Sequence, residues 1–138
     1  MTRTITVEHA GETYAGRIGT ITTTLLGMED HGIFTTSLLV EWPSSGVSVG
    51  GFALDSYEKD LDRRAGTAYG LDHVMQILET VGVEKWEDVR GKEVIVLFEG
   101  DGGWGARSVG IANITDESKV FIPKLHAAFW RERLGVEA

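Results

Sequence analysis

Short runs rich in threonine, isoleucine and valine among polar residues are the main pattern in this chain, and they predict β-strands. Isoleucine, valine, leucine and threonine stand among polar neighbours in short runs that are separated by glycine-rich segments, which is typical of strands joined by turns. The predicted strands cover residues 4–7, 13–24, 33–42, 46–54, 93–99, 108–115 and 120–122. The loops at 27–32 and 100–105 are short enough for hairpins, so we expect neighbouring strands to be antiparallel.

A helical period is clearest at about residues 67–81. Thr67 is a suitable N-cap and Gly82 a suitable C-terminal stop, and Pro123 predicts the start of a second, short helix that runs to Leu134. The predicted apolar face of the main helix consists of Leu71, Val74, Met75, Leu78 and Val81. Strands, helix, strands, helix is an α+β order, and we expect one domain over residues 1–138 with an antiparallel sheet built from hairpins.

Composition excludes several classes of protein. The chain has 138 residues, of which 42% are hydrophobic, enough for one core without covalent cross-links. There are no cysteines, which excludes disulfides, thiolate metal sites and a cysteine nucleophile. No segment approaches the roughly 20 apolar residues that span a bilayer, and the N-terminus has no apolar signal region. We therefore expect a cytoplasmic protein without a membrane partner.

The net charge is −8, from 21 acidic and 13 basic residues. Such a surface repels the phosphates of DNA and RNA, so general nucleic-acid binding is not expected. A small phosphate-bearing ligand remains possible, because a few arginines and backbone N–H groups can form a local positive site in an acidic protein.

Gly50 and Gly51 interrupt a predicted strand. Glycine weakens strand pairing, so the pair indicates a bulge, a sharp bend or a ligand placed against the main chain, with Phe52 beside it. Ser48 lies in a segment with the letters of a serine-hydrolase elbow. No helix follows it directly, as that motif requires, so serine hydrolysis is not expected.

Arg63, Arg64, Gly66 and Thr67 form a candidate anion site at the start of the main helix. The N–H groups of a first helical turn attract phosphate, and two guanidinium groups precede them. Tyr69 is a candidate for stacking on a base. The alternative is that Gly66 and Thr67 only begin and cap the helix.

Two loops carry weaker candidates. Glu29, Asp30 and His31 combine two carboxylates and an imidazole, which can bind a metal or move protons, but adjacent residues rarely bind one metal and an exposed hairpin tip is the alternative. In the glycine-rich loop at 100–105, Trp104 is positioned to stack on a base or contact a partner, with Arg107 close behind; a flexible hairpin tip is the alternative.

Four segments together resemble a family of small uncharacterised proteins from tailed phages and prophages. The segments are 26–33, 50–55, 66–70 and 81–92, and the likeness covers about residues 17–98. This resemblance implies no catalytic residues. It implies an infected bacterial host cell as the setting and, by a looser analogy of size and setting, the phage sponge proteins that sequester cyclic nucleotide signals of bacterial defence.

We therefore expect a homo-oligomeric phage accessory protein that binds a nucleotide-derived immune signal, such as a cyclic nucleotide, without a cofactor. Enzymatic activity is less expected than binding. The first alternative is a protein-binding inhibitor or structural interaction module that uses its acidic surface. The second is a metal-dependent hydrolase at the loop of residues 29–31.

Overall fold

The computed structural model describes residues 5–29, 31–100 and 106–135. Over these residues the chain forms nine strands and two α-helices. The elements are β1 (Ile5–His9), β2 (Glu12–Glu29), β3 (Ile33–Trp42), β4 (Ser45–Ala53), β5 (Asp55–Glu58), β6 (Arg63–Gly66), α1 (Ala68–Val81), a 3-10 turn (Trp86–Asp88), β7 (Glu93–Phe98), β8 (Ser108–Ala112), β9 (Val120–Phe121) and α2 (Pro123–Arg133). The predicted α+β fold, with an antiparallel sheet, one main helix and a short C-terminal helix, is confirmed.

Seven strands form the main sheet, in the order β4-β3-β2-β7-β8-β9, with β1 also paired to β2. The long strand β2 pairs with β7 over residues 15–20 and with β3 over residues 20–29. The twist of the sheet brings β4 and β8 into contact, although they are not paired. Here the hydroxyl of Ser108 donates a hydrogen bond to the carbonyl of Ser48 (2.9 Å). The sheet is thus a partly closed barrel, and we call the gap between β4 and β8 the seam.

Gly50 and Gly51 form a β-bulge in β4. Phe52 pairs with Thr36 and Gly50 pairs with Ser37, which leaves Gly51 as the extra residue. Both glycines have positive φ, 120° and 91°, and a Cβ on Gly50 would lie 2.6 Å from the carbonyl oxygen of Thr36. The predicted bend is confirmed, because both the backbone conformation and the close approach require glycine at position 50.

Helix α1 begins and ends as predicted. The backbone N–H of Gly70 donates to Oγ1 of the N-cap Thr67 (2.8 Å). Gly82 has φ of 91°, and its N–H donates to the carbonyl of Leu78. Side-chain capping at one end and a left-handed glycine at the other satisfy terminal backbone groups of the helix.

The predicted apolar face of α1 is only partly buried. Leu71 and Met75 are 66% and 55% exposed, so this part of the prediction is wrong. The physical reason is Gly70, where a Cβ would lie 1.9 Å from the carbonyl oxygen of Leu54. This close backbone contact turns the Gly70 side of the helix inward, and the buried residues of α1 are Gly70, His73, Ile77, Thr80 and Val81.

Strand β7 is buried on both faces, as its uninterrupted apolar run allows. Val94, Val96 and Phe98 join the larger hydrophobic cluster, which includes residues of β2, β3 and α1. Ile95 and Leu97 face the other way, into a smaller cluster with residues of β1 and the C-terminal segment. Neither helix of the described residues is long and apolar enough to cross a bilayer.

The C-terminal segment packs on the sheet through Phe121 and Ile122, which are 4% and 5% exposed. Gly110 permits this contact, because a Cβ there would lie 2.3 Å from the carbonyl oxygen of Phe121. The C-terminal segment is thus docked on the core through these two residues. Leu125 and Phe129 of α2 are 42% and 58% exposed, so α2 covers the core only in part.

Candidate functional site

The seam opens into a cavity of about 380 Å³, which we call the seam cavity. Its walls come from β4, the start of β8, β2 and the first turn of α2, and the residues that give it chemical character are Tyr14, Gly50, Phe52, Arg107, Ser108 and Lys124. A cavity of this size, with mainly apolar walls and a few polar groups, is typical of small-molecule sites. It contains three predicted site residues: Gly50, Phe52 and Arg107.

Both strands that border the seam contain a bulge. Gly51 is the extra residue in β4. In β8, Ser108 pairs with Phe98 and Gly110 with Leu97, so Val109 is also an extra residue. A bulge disrupts the local ladder and bends its strand, and bulges are common next to binding sites. Both bulges thus bend strands beside the seam, where β4 and β8 are in contact without being paired.

Positive charge concentrates at the seam cavity despite the net charge of −8. Among the described residues that line it, the charged side chains are Arg107 and Lys124, and both are exposed. Helix α2 begins at Pro123, and its N-cap Ile122 makes no side-chain capping hydrogen bond. The positive end of the helix dipole thus adds to the two cations.

Two aromatic side chains, Tyr14 and Phe52, are partly buried in the cavity wall. The ring of Phe52 lies 6.2 Å from that of His73, so the cavity wall is continuous with the buried interior around α1. These rings supply flat apolar surface, while the cations supply charge, and together they suit a ligand with a ring and an anionic group.

The predicted anion site at the start of α1 has a different arrangement. Arg64 donates from Nε and Nη2 to the two carboxylate oxygens of Asp55, each at 2.8 Å. This bidentate bond holds the pKa of Asp55 at about 2. The guanidinium of Arg64 is therefore already paired with a carboxylate within the fold. The hairpin of β5 and β6 that creates the pair was not predicted, because its residues are polar.

Thr67 and Gly66 fit the capping alternative. The Thr67 hydroxyl accepts from Gly70 and donates to the carbonyl of Leu54 (2.8 Å), so it has both an acceptor and a donor role within the fold. Arg63 is exposed and donates from Nη1 to the carbonyl of Arg64 (3.0 Å). None of these residues lines the seam cavity. Ligand binding by Arg63, Arg64, Gly66 and Thr67 stays a prediction.

Tyr69 belongs to a cluster of rings between α1 and α2. Its ring lies 5.3 Å from that of His126 and 5.9 Å from that of His73, and burial raises the pKa of Tyr69. His73 is 0% exposed, and neither of its ring nitrogens has a hydrogen-bond partner among the described residues. Burial, with the nearby His126, lowers the pKa of His73 to about 4, so this histidine is neutral at pH 7.

A second cavity, of about 300 Å³, lies beside this cluster, and we call it the helix cavity. Its polar residues are His9, Asp72, Gln76 and His126. Nε2 of His126 and Nε1 of Trp130 lie 2.8 Å and 3.0 Å from Oδ2 of Asp72. Burial alone raises the pKa of Asp72, but these hydrogen bonds bring it below its ordinary value, so the carboxylate is ionised at pH 7.

The remaining candidates lie away from both cavities or outside the described residues. Glu29 and His31 are exposed at the tip of the hairpin of β2 and β3. Asp30 and Trp104 lie outside the described residues. Within the described ranges, no group of three or more histidines, aspartates or glutamates is arranged to hold a metal ion.

Two larger depressions border the end of α1. One, of about 570 Å³, is lined by residues 82–85, 87, 88 and 90–92, and the other, of about 670 Å³, lies between that segment and residues 113–119. Both are more open to solvent than the seam cavity and mix carboxylates with lysines or arginine. They therefore offer weaker charge selectivity than the seam cavity.

Sequence reasoning missed Tyr14, Ser108 and Lys124 as members of one site. Tyr14 stands in a regular strand, and Lys124 follows an ordinary helix-start proline, so neither has a local signal.

Comparison with known protein families, curated protein sequences and solved structures found no match.

Proposed function

We propose that the protein binds a small phosphate-bearing ligand in the seam cavity. The observation that carries this proposal is the convergence of Arg107, Lys124 and the positive end of α2 on one mainly apolar cavity of an acidic protein. Charge-assisted hydrogen bonds to phosphate are about twice as strong as neutral ones. The anionic group would lie between the two cations.

Phe52 and Tyr14 would hold a ring of the same ligand against the wall of the cavity. Stacking of a base on an aromatic side chain tolerates different bases, which suits a nucleotide-derived ligand. Gly50 adds exposed backbone at the bulge, where a bound molecule can approach the main chain closely. The predicted nucleotide ligand is thus supported by charge, shape and aromatic surface in one place.

In the setting implied by the phage resemblance, we propose that binding serves to sequester a nucleotide signal of bacterial defence. Sequestration requires tight binding without chemical change. The protein would be incubated with 3′,5′-cyclic AMP and cyclic ADP-ribose, denatured by heat, and the released ligand identified by chromatography. Intact release supports sequestration, an altered product indicates an enzyme, and no uptake contradicts binding of these probes.

Charge reversal tests the site. Arg107→Glu and Lys124→Glu should each weaken binding of a captured nucleotide by about tenfold or more, because a hydrogen bond to a charged group contributes about 1.5–3 kcal/mol. Lys59→Glu is the matched control, since Lys59 is also an exposed cation, lines neither cavity and is not a candidate site residue. Equal affinities of all three variants and the wild type in titration calorimetry would remove the seam cavity as the site.

A protein-interaction role is the second candidate, favoured by the exposed apolar side chains of α1. Leu71 and Met75 are one helical turn apart and both more than half exposed. Apolar side chains at this spacing form one stripe on a helix. This stripe is where we place the contact of the expected homo-oligomer.

A further inference from the structure

The seam cavity and the helix cavity share a wall. Ile122 and Leu125 line both cavities. Ile122 is buried, whereas Leu125 is 42% exposed, so the shared wall reaches the protein surface at Leu125. A ligand that lies over Leu125 can contact both cavities at once.

The two cavities differ in charge. The charged side chains of the seam cavity are cations, whereas the helix cavity contains the carboxylate of Asp72 and, among the described residues, no lysine or arginine. Asp72 is 30% exposed. An ionised carboxylate offers about four acceptor positions, and its donors in the fold are His126, Trp130 and Gln76. Capacity remains for a hydrogen bond from a ligand.

Phe129 supplies a flat apolar surface beside this carboxylate. It lines the helix cavity and is 58% exposed. An exposed aromatic ring next to an acceptor suits a heteroaromatic ring that stacks on one group and donates a hydrogen bond to the other. A second phosphate would be disfavoured here, because Asp72 would repel it.

We propose that the helix cavity is a second subsite, which binds a hydrogen-bond-donating heteroaromatic ring of a ligand whose phosphate lies in the seam cavity. This proposal rests on the proposed function of the seam cavity. It narrows the ligand class from any phosphate-bearing molecule to one that carries two rings joined through phosphate.

Titration calorimetry with two probes tests the second subsite. The probes are 5′-AMP, with one base, and adenylyl-(3′→5′)-adenosine, with two bases joined by one phosphate. The wild type should bind the two-base probe at least tenfold more tightly. Phe129→Ala should weaken that probe by about tenfold and leave 5′-AMP unchanged. Leu61→Ala is the control, because Leu61 is 53% exposed, lines neither cavity and has no proposed role in binding.

Asp72→Asn provides a second variant, which should also reduce the preference for two bases. Thermal unfolding reports whether this variant still folds. If it does not, the binding data for Phe129→Ala alone test the second subsite. Binding of 5′-AMP with no gain for the two-base probe, or equal loss of both probes in Phe129→Ala, would overturn the second subsite and leave the proposed function standing. A wild type that binds neither probe would overturn both proposals.

Discussion

Replacement of His73 by leucine should remove most of the acid sensitivity of this fold between pH 6.5 and 4. His73 is fully buried, and its ring lies 4.8 Å from that of Phe121 and 5.7 Å from that of His126. Leucine has a similar volume and no polar atoms, so it should be accommodated at a cost below about 1.5 kcal/mol. It also removes two buried nitrogens without partners among the described residues.

The size of the effect follows from the pKa of His73. Burial lowers it from 6.5 to about 4 in the folded protein. Above pH 6.5 the side chain is neutral in both states. As the pH falls below 6.5, the unfolded chain binds a proton that the folded chain does not, so stability is lost down to pH 4. By linkage, this lowers the free energy of unfolding at pH 4 by about 3 kcal/mol. Below pH 4 the loss levels off, because His73 is then protonated in both states.

Urea unfolding of the wild type and His73→Leu between pH 7.5 and 4 measures this difference. Carboxylates with lowered pKa, such as Asp55, weaken both proteins at lower pH and largely cancel in the comparison. The free energy of unfolding of the variant should exceed that of the wild type by about 3 kcal/mol more at pH 4 than at pH 7.5. Parallel curves over this range would show that the pKa of His73 is not lowered by folding.

Three further predictions concern the bulge, the ion pair and the exposed stripe. Gly50→Ala should lower the melting temperature more than Gly51→Ala, because a Cβ on Gly50 meets backbone at 2.6 Å and one on Gly51 meets nothing within 4 Å; equal losses in calorimetry would contradict this. Arg64→Ala should lower the melting temperature and leave nucleotide affinity unchanged, because it leaves Asp55 without its partner; weaker binding with unchanged melting would restore the original anion site. Leu71→Glu should reduce the molar mass measured by light scattering if the stripe joins subunits, and an unchanged oligomer would exclude the stripe.

Both helices and most strands were predictable because they depend on local patterns, whereas the polar hairpin of β5 and β6 was not. Valine, isoleucine and threonine mark β3 and β4. Thr67 marks the start of α1 through its side-chain oxygen, and Gly82 marks its end through its left-handed backbone. The buried face of α1 was not predictable, since it depends on the contact of Gly70 with the carbonyl of Leu54. Glycine has no apolar side chain, so the apolar spacing that includes Leu71 predicted a different buried face.

The candidate site was predictable only in part. Gly50 stood out because paired glycines are unusual in a strand, and Phe52 directly follows that pair. Lys124 reaches the same cavity only because the sheet curls until β4 meets β8 and the C-terminal segment packs on Gly110. Contacts between such distant segments of the chain cannot be predicted from local sequence patterns. The arginine at position 64 gave a misleading signal, because its carboxylate partner lies in a polar hairpin that has no strand pattern.

Chemical-shift mapping locates the residues of the protein that a nucleotide contacts. Amide spectra of the ¹⁵N-labelled protein would be recorded during titration with 5′-AMP. If the ligand binds in the seam cavity, the largest shifts should fall on the amides of Gly50, Phe52, Ser108 and Lys124. Largest shifts at residues 63–69, or no saturable shifts at millimolar nucleotide, would contradict binding in the seam cavity.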